Sequence, residues 1–199
     1  MNRVILSAST DETILAVTGQ HKLVDLEIEQ QINTEIVGCI YKGVVKNIVP
    51  AVDGIFVDIG IGKNAFLRRK DLLNEKRFPT EGSPIHVQVI KSVSDMKGAL
   101  ITEKISMFGK YAVTLSGTGY IGVSKKIRQE SVRKKLKEIG KEISAEHMGL
   151  IIRTAAENAD MDEFRKDITR LKENWDIIQK RFRMEKSPTL LYRESDIIV

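Results

Sequence analysis

The stretch from Tyr41 to Leu67, YKGVVKNIVPAVDGIFVDIGIGKNAFL, restricts the fold of this 199-residue chain more than any other. Apolar residues alternate with polar ones: Val44 and Ile48, then Ile55, Val57 and Ile59, are predicted to share one face. Gly43, Asp53-Gly54, Gly60 and Gly62 punctuate the turns. The result is a run of short consecutive strands, the signature of a small antiparallel barrel. Phe56 and Phe66 stand ten residues apart among glycines and lysines. A barrel that exposes aromatic rings beside basic side chains suits single-stranded nucleic acid, because every base has a π-face that can stack. The competing reading puts one ring in the core, and Phe56, between Ile55 and Val57, is the more open to it.

Charge points to the same class of partner. The net charge of the chain is +5. The segment from Tyr120 to Gly140 carries Lys125, Lys126, Arg128, Arg133, Lys134, Lys135 and Lys137 against Glu130 and Glu138, and so holds an excess equal to that of the whole chain. Focused charge of this kind favours a polyanion. A solvated helix face would show the same composition, and it is the aromatic residues upstream that favour nucleic acid. No apolar run approaches the ~20 residues needed to cross a bilayer, and the first residues, MNRVILSAST, do not form a signal peptide. The single cysteine, Cys39, excludes an internal disulfide and a cysteine-based metal site. A reducing, cytoplasmic setting is expected.

Four segments follow from the patterning. Residues 1 to about 35 alternate as three strands of a small antiparallel unit, with a turn at Thr18-Gly19-Gln20. Residues 36 to about 107 form the barrel, which is expected to close with strands at Pro84–Lys91 and Gly98–Ser106. Residues 108 to about 186 change to α+β: a strand in YAVTLS, a glycine-rich turn and strand in GTGYIGVS, a short basic helix from Gln129 to Ile139, and an apolar strand in MGLIIRTAA. A long helix is predicted over 161–182, where Met161, Phe164, Ile168, Leu171, Trp175, Ile178 and Phe182 recur at intervals of three and four. Asp160, Asp162 and Glu163 serve as its cap and negative first turn, and Trp175 belongs to its core stripe. A turn at Pro188 leads into terminal strands. The ending on Ile197-Ile198-Val199 suggests a chain cut inside a longer protein, because an unpartnered apolar strand is an edge liability.

The wording and order of these segments resemble the N-terminal part of the ribonuclease E/G family of bacterial endoribonucleases. The resemblance runs through NRVILSAS, the barrel motif, KGALITEKISMFGKYAV, GVSKKI, MGLIIRTAAENA, LKENWDIIQK and LLYRESDIIV, and so covers essentially the whole chain. It implies a five-stranded OB barrel of the S-one type, then an α+β sensor subdomain, flanked by strands of a split RNase H-like domain at residues 1–35 and 187–199. It further implies an enzyme that is magnesium-dependent and homo-oligomeric, with a zinc link between subunits. Its catalytic aspartates lie later in the family's sequence, so these 199 residues are expected to bind RNA without cutting it and to hold no cofactor. The shorter ribonuclease G branch is expected only in that nothing in these residues suggests the long scaffold tail of the ribonuclease E branch. A free-standing S-one-type RNA-binding protein without catalysis is the alternative.

Residue by residue, the resemblance assigns Phe56 and Phe66 to base stacking and Lys97 to the RNA backbone. Arg153 and Thr154 fall where the family grips a 5′-terminal monophosphate: a planar fork of donors beside a hydroxyl matches a doubly charged phosphate. The Val113 amide is expected to complete that cradle, Gly109 to permit close approach, and Lys125 to support the phosphate. A surface ion pair is the ordinary alternative for an arginine at a strand end, as a plain loop lysine is for Lys97. Where the family often has Ser-Arg-Arg, this chain has Ser124-Lys125-Lys126, which keeps the charge and loses the fork. Arg68 stands where a proline is frequent. His21, His86 and His147 are too far apart in sequence to suggest a metal site.

Overall fold

Strands make up the larger share of the regular structure in the computed structural model, which describes residues 2–8, 12–19, 22–30, 36–92, 98–144 and 148–193. The chain divides into two compact units, one drawn from residues 1–36 and 195–199 and the other from residues 37–194. In the first unit, β1 (Asn2–Ala8), β2 (Glu12–Gly19) and β3 (Lys22–Gln30) form an antiparallel meander in the order β1-β2-β3, as their patterning predicts. Gly19 pairs with Lys22 across the second hairpin.

In the second unit, β4 (Ile40–Val49), β5 (Gly54–Asp58), β6 (Ala65–Arg68), β7 (Pro84–Lys91) and β8 (Leu100–Thr102) form a five-stranded barrel. Sheet order β4-β5-β6-β8-β7 closes through pairing of β7 with β4. Ile55, Val57, Ala65, Leu67, Val87 and Ile101 fill its interior. One pairing departs from the expected antiparallel barrel: β6 and β8 run parallel, with Phe66 opposite Leu100. Strand direction requires this. The connection after β6 delivers β7 antiparallel to β4, and the return strand β8 must then run alongside β6. The predicted shared face also needs correction. Ile55, Val57 and Ile59 are buried, whereas Val44 and Ile48 are only partly covered. The register shifts between Val45 and Asn47, and this bulge at Lys46 turns the strand between them. β8 stops at Thr102, earlier than expected, because the next segment leaves the barrel. The buried Gln88 side chain accepts from Ser106 N–H (2.9 Å) and donates to the Ser106 carbonyl (2.8 Å).

The α+β part adds β9 (Ala112–Ser116), β10 (Ile121–Val123), α1 (Glu130–Ile143), β11 (Met148–Ile152) and α2 (Met161–Met184). Strand order is β10-β11-β9, with β10 parallel and β9 antiparallel to β11. The helices pack on one face of this sheet. Met148, Leu150, Ile152, Leu136, Ile139, Phe164, Ile168, Leu171 and Trp175 form their shared core. Asp160 caps α2 by accepting from the N–H groups of Asp162 and Glu163, as expected. Strand β12 (Thr189–Tyr192) pairs with β4 and extends the barrel sheet, so this part of the 187–199 segment lies with the barrel, while residues 195–199 are grouped with the first unit. Ile197–Val199 lie outside the described residues. Among the described residues no helix is long and apolar enough to cross a membrane.

Barrel and α+β part meet at the C-terminal end of α2. The ammonium of Lys42, on β4 and only 9% exposed, donates to the carbonyls of Phe182 and Glu185, both at 2.6 Å. A cation placed on the last carbonyls satisfies groups the helix cannot pair itself and opposes its negative end. Opposite Lys42 in register, His86 sets its ring against Phe182 with centroids 3.4 Å apart and planes tilted by 53°. Burial first, and the Lys42 charge second, push its pKa down to about 4 from the ordinary 6.5. His86 is therefore neutral in the fold, whereas the unfolded chain takes up its proton near pH 6.5. This contribution to stability is complete above that pH and is lost as pH falls toward about 4. His86→Leu is expected to shrink the drop in urea midpoint between about pH 7 and about pH 5. An unchanged drop would assign the acid sensitivity to other groups.

Candidate nucleic-acid interface

Two surface constellations emerge in the second unit, one on the barrel and one on the α+β sheet. On the barrel, alternation turns Phe56 and Phe66 outward while their neighbours Ile55, Val57, Ala65 and Leu67 are fully buried. Phe56 is 36% exposed, so it is a surface ring and not a core residue. The two phenylalanines face each other directly across β5 and β6, with centroids 5.4 Å apart and planes tilted by 51°. This is a favourable cross-strand aromatic pair. Gly54 fixes the geometry, since a Cβ there would overlap the Phe66 ring.

Lys46 is a member of this surface that patterning did not single out. The bulge leaves it between the residues paired with Val57 and Phe56, and its ammonium lies 3.3 Å from Asp58. A bulge is a register property and is not written in residue types. The extra positive charge expected at Arg68 is offset, because its Nε donates to Asp71 at 2.5 Å. Arg69 lies over Phe78 at 3.9 Å and pairs with Asp53. Lys97 lies outside the described residues.

The second constellation sits where the parallel strands β10 and β11 end side by side. Ser124 follows β10 and Arg153 follows β11, and Ser124 N–H donates to the Ile152 carbonyl at 2.8 Å. Thr154 and Ser124 are joined through their hydroxyls at 3.1 Å. Arg153 is held at both ends. Its N–H donates to the Tyr111 carbonyl (2.8 Å), and one guanidinium nitrogen donates to the Gly109 carbonyl (2.7 Å). Its remaining donors meet no partner among the described residues, and among these Arg153 forms no ion pair. Lys125 and Lys126 are exposed beside it. Their turn is clamped by Arg133, whose guanidinium donates to the carbonyls of Ser124 (2.7 Å) and Ile127 (2.9 Å). In the sequence Arg133 is one of seven basic residues in its segment; only the fold shows that it spends its donors on backbone.

Two expectations about this site change. Gly109 was expected to let a phosphate approach closely. The space beside it is instead taken by α2, since a Cβ there would lie 2.5 Å from the Asp167 carboxylate. Asp167, 8% exposed, accepts from Tyr111 N–H (2.8 Å) and Lys110 N–H (3.2 Å), with Arg170 at 3.2 Å. The second change concerns Val113, which pairs with Phe108 on one edge and Ile151 on the other. Hydrogen-bonded pairs recur every second residue in an antiparallel ladder. The Arg153–Tyr111 bond therefore assigns the Val113 N–H to the sheet, and not to a ligand. Nearby, Tyr111 Oη and the Lys110 ammonium hold the Glu163 carboxylate, lowering its pKa through those two contacts in that order. His86 is placed in the helix junction described above, and His21 and His147 lie outside the described residues. Among the described residues no group of three or more His, Cys, Asp or Glu comes together to hold a metal.

Asp167 is thus the support of the loop that holds Arg153. Asp167→Ala would leave two buried N–H groups unpaired and is expected to cost about 2–4 kcal/mol in denaturant unfolding. Asp167→Asn keeps an acceptor oxygen and should lose less. Equal losses for the two would show that the charge, rather than the hydrogen bonds, carries the effect.

Comparison with known proteins agrees with this division. Residues 106–199 match the Ribonuclease E/G family, and residues 35–101 match the S1 RNA binding domain. The chain is 33% identical over 208 residues to ribonuclease G of Escherichia coli, an alignment covering 96% of this chain and 42% of that protein. It is 31% identical over 216 residues to ribonuclease E of Buchnera aphidicola, covering 100% of this chain and 22% of that one. Ribonuclease E of a Synechocystis species is 32% identical over 182 residues, covering 86% and 27%. The chain therefore spans less than half the length of these relatives.

Proposed function

The chain belongs to the ribonuclease E/G family, and from that membership we propose that it is the RNA-binding and 5′-monophosphate-sensing portion of an endoribonuclease acting on single-stranded RNA. The barrel supplies affinity through Phe56 and Phe66, which offer their faces to unpaired bases. The paired strand ends of β10 and β11 supply the preference for a 5′ end. The observation that carries the reading is the state of Arg153. One edge of its fork is pinned to the Gly109 carbonyl while its other donors stay exposed beside the Thr154 hydroxyl. That is a preorganised arrangement for a phosphate with two negative charges. Lys125 and Lys126 add charge without a fork. A triphosphate is longer and more highly charged than Arg153 and Thr154 are placed to match, so RNA already cut once would be preferred.

Magnesium-dependent cleavage and a zinc link between subunits belong to this proposal only as properties of the whole enzyme. Among the described residues no three His, Cys, Asp or Glu come together to hold a metal.

Binding of a short single-stranded RNA carrying a 5′-monophosphate or a 5′-hydroxyl, across a salt series, tests the reading. The monophosphate is expected to bind more tightly, and Arg153→Ala should remove about 2 kcal/mol, roughly thirtyfold, from that RNA alone. Phe56→Ala or Phe66→Ala should weaken both RNAs equally, by about 1–3 kcal/mol, without unfolding the barrel. If the two RNAs bind equally to the unaltered protein, the sensor reading fails and a generic RNA-binding barrel remains.

A further inference from the structure

A cleft of about 780 Å³ runs between the C-terminal half of α2 and the barrel, within the range of roughly 300–1,000 Å³ that small ligands occupy. Trp175, 7% exposed, and Ile105 give it apolar ground. The barrel side supplies Glu103, from the segment after β8, whose carboxylate accepts from Leu73 N–H at 2.9 Å. Its other oxygen meets no donor among the described residues. Burial raises the Glu103 pKa in spite of the Leu73 bond, so the carboxylate gains from a further donor. Ser116 fixes this wall: its hydroxyl accepts from Ile105 N–H (2.8 Å) and donates to the Glu103 carbonyl (3.1 Å). In the same wall, His86 Nε2 is buried with no hydrogen-bond partner among the described residues. A buried polar atom left unpaired is costly, and a polar occupant relieves that cost.

The α2 side brings the opposite charge. Gln179, Lys180 and Arg183 line the cleft, and their side chains have no partner among the described residues. Asp176 lies one turn before Lys180 and so confines an anion to the Lys180–Arg183 end. An occupant must then offer negative charge to that end, an apolar body to Trp175 and Ile105, and donors to Glu103. A nucleotide carries all three. An aliphatic ligand would leave Glu103 and the two cations unpaired, and an acidic peptide would crowd further carboxylates against Glu103 and Asp176.

We propose that this cleft binds a nucleotide, with its phosphate at Lys180 and Arg183 and its base over Trp175 and Ile105. The planar fork of Arg183 suits a phosphate, and the Gln179 amide can both donate to and accept from a base edge. The site is independent of the 5′-phosphate reading. Asp167 marks the Arg153 end of α2, and Trp175 stands about 12 Å and Arg183 about 24 Å farther along the helix. The nucleotide could be free or part of a bound RNA, and the two sources differ in the experiment.

Trp175 is the only tryptophan of the chain, so its fluorescence reports on this cleft. Adenosine and guanosine 5′-monophosphates, ribose 5-phosphate, a 5′-hydroxyl single-stranded RNA and a glutamate-rich peptide would each be titrated against it. The mononucleotides are expected to change the emission saturably, and ribose 5-phosphate to have little effect. Arg183→Glu, on an exposed position, and Glu103→Gln should each weaken the response roughly 10- to 100-fold, with melting curves showing that both variants fold. A response to the RNA alone, still lost in Arg183→Glu, would support the site with RNA as its source. No response to mononucleotide or RNA, an equal response to ribose 5-phosphate, or one that Arg183→Glu leaves intact would overturn the proposal. A response to the peptide alone would also overturn it, and would mark the cleft as a protein-docking surface.

Discussion

The carboxylate of Asp167 ties the interior of the α+β part to its surface chemistry. It projects from the second turn of α2, is nearly inaccessible, and takes two successive backbone N–H groups from the loop at Lys110 and Tyr111. Burying a charge is tolerable only when it is paired and fully hydrogen-bonded. Here Arg170 and the two amides meet that demand. The consequence propagates outward. Gly109 must lack a side chain to admit the carboxylate, its carbonyl is thereby fixed, and that carbonyl aims Arg153. A core helix thus sets the direction of an exposed guanidinium through a single loop.

A second buried charge joins the barrel to the same helix. Lys42 reaches from β4 to the last carbonyls of α2, and Arg181 near that end ties it to β12 through the carbonyls of Leu190 and Leu191. β12 in turn pairs with β4. The helix end is therefore held by the barrel on two sides, and residues 37–194 behave as one unit although the sequence reads as a barrel followed by a separate subdomain. The neutral His86 beside this junction fits a crowded, cation-facing position, where a second positive charge would repel Lys42.

Patterning disclosed whatever depends on period and residue type. The barrel strands, the α2 stripe with its Asp160 cap, and the outward aromatic pair are all consequences of two- and 3.6-residue repeats. The resemblance contributed Arg153 and Thr154, which no period would have selected. What stayed hidden depends on register and long-range approach. The bulge that re-aims Lys46, the parallel closure of β6 on β8 and the pairing of β12 with the barrel edge each follow from where strands lie, not from what they contain. Arg133 is only one basic residue of its segment in the sequence, and no pattern singles out Asp167. Their roles exist only because the turn at Ser124 and the loop at Lys110 come within reach of them. Gly109 illustrates the same point: a sequence shows that it allows close approach but not which atom approaches.

The two proposed RNA contacts differ in physical kind, and that difference shapes how they would combine. Stacking on Phe56 and Phe66 depends on apolar contact and is indifferent to which end of the RNA is near. Pairing at Arg153 depends on charge, weakens with salt, and exists only at a terminus. With both on one compact unit, an RNA already stacked on the barrel would meet the sensor as an intramolecular partner. The second contact then counts at an effective concentration set by the short intervening RNA, rather than by the concentration of 5′ ends in solution. A site with one arginine fork, one hydroxyl and two flexible lysines would be weak alone. Linked to the barrel, it needs only the modest free-energy difference between a charged and an uncharged 5′ end to select between RNAs. Because Gly109 already holds the fork, little of that difference is lost to ordering the side chain.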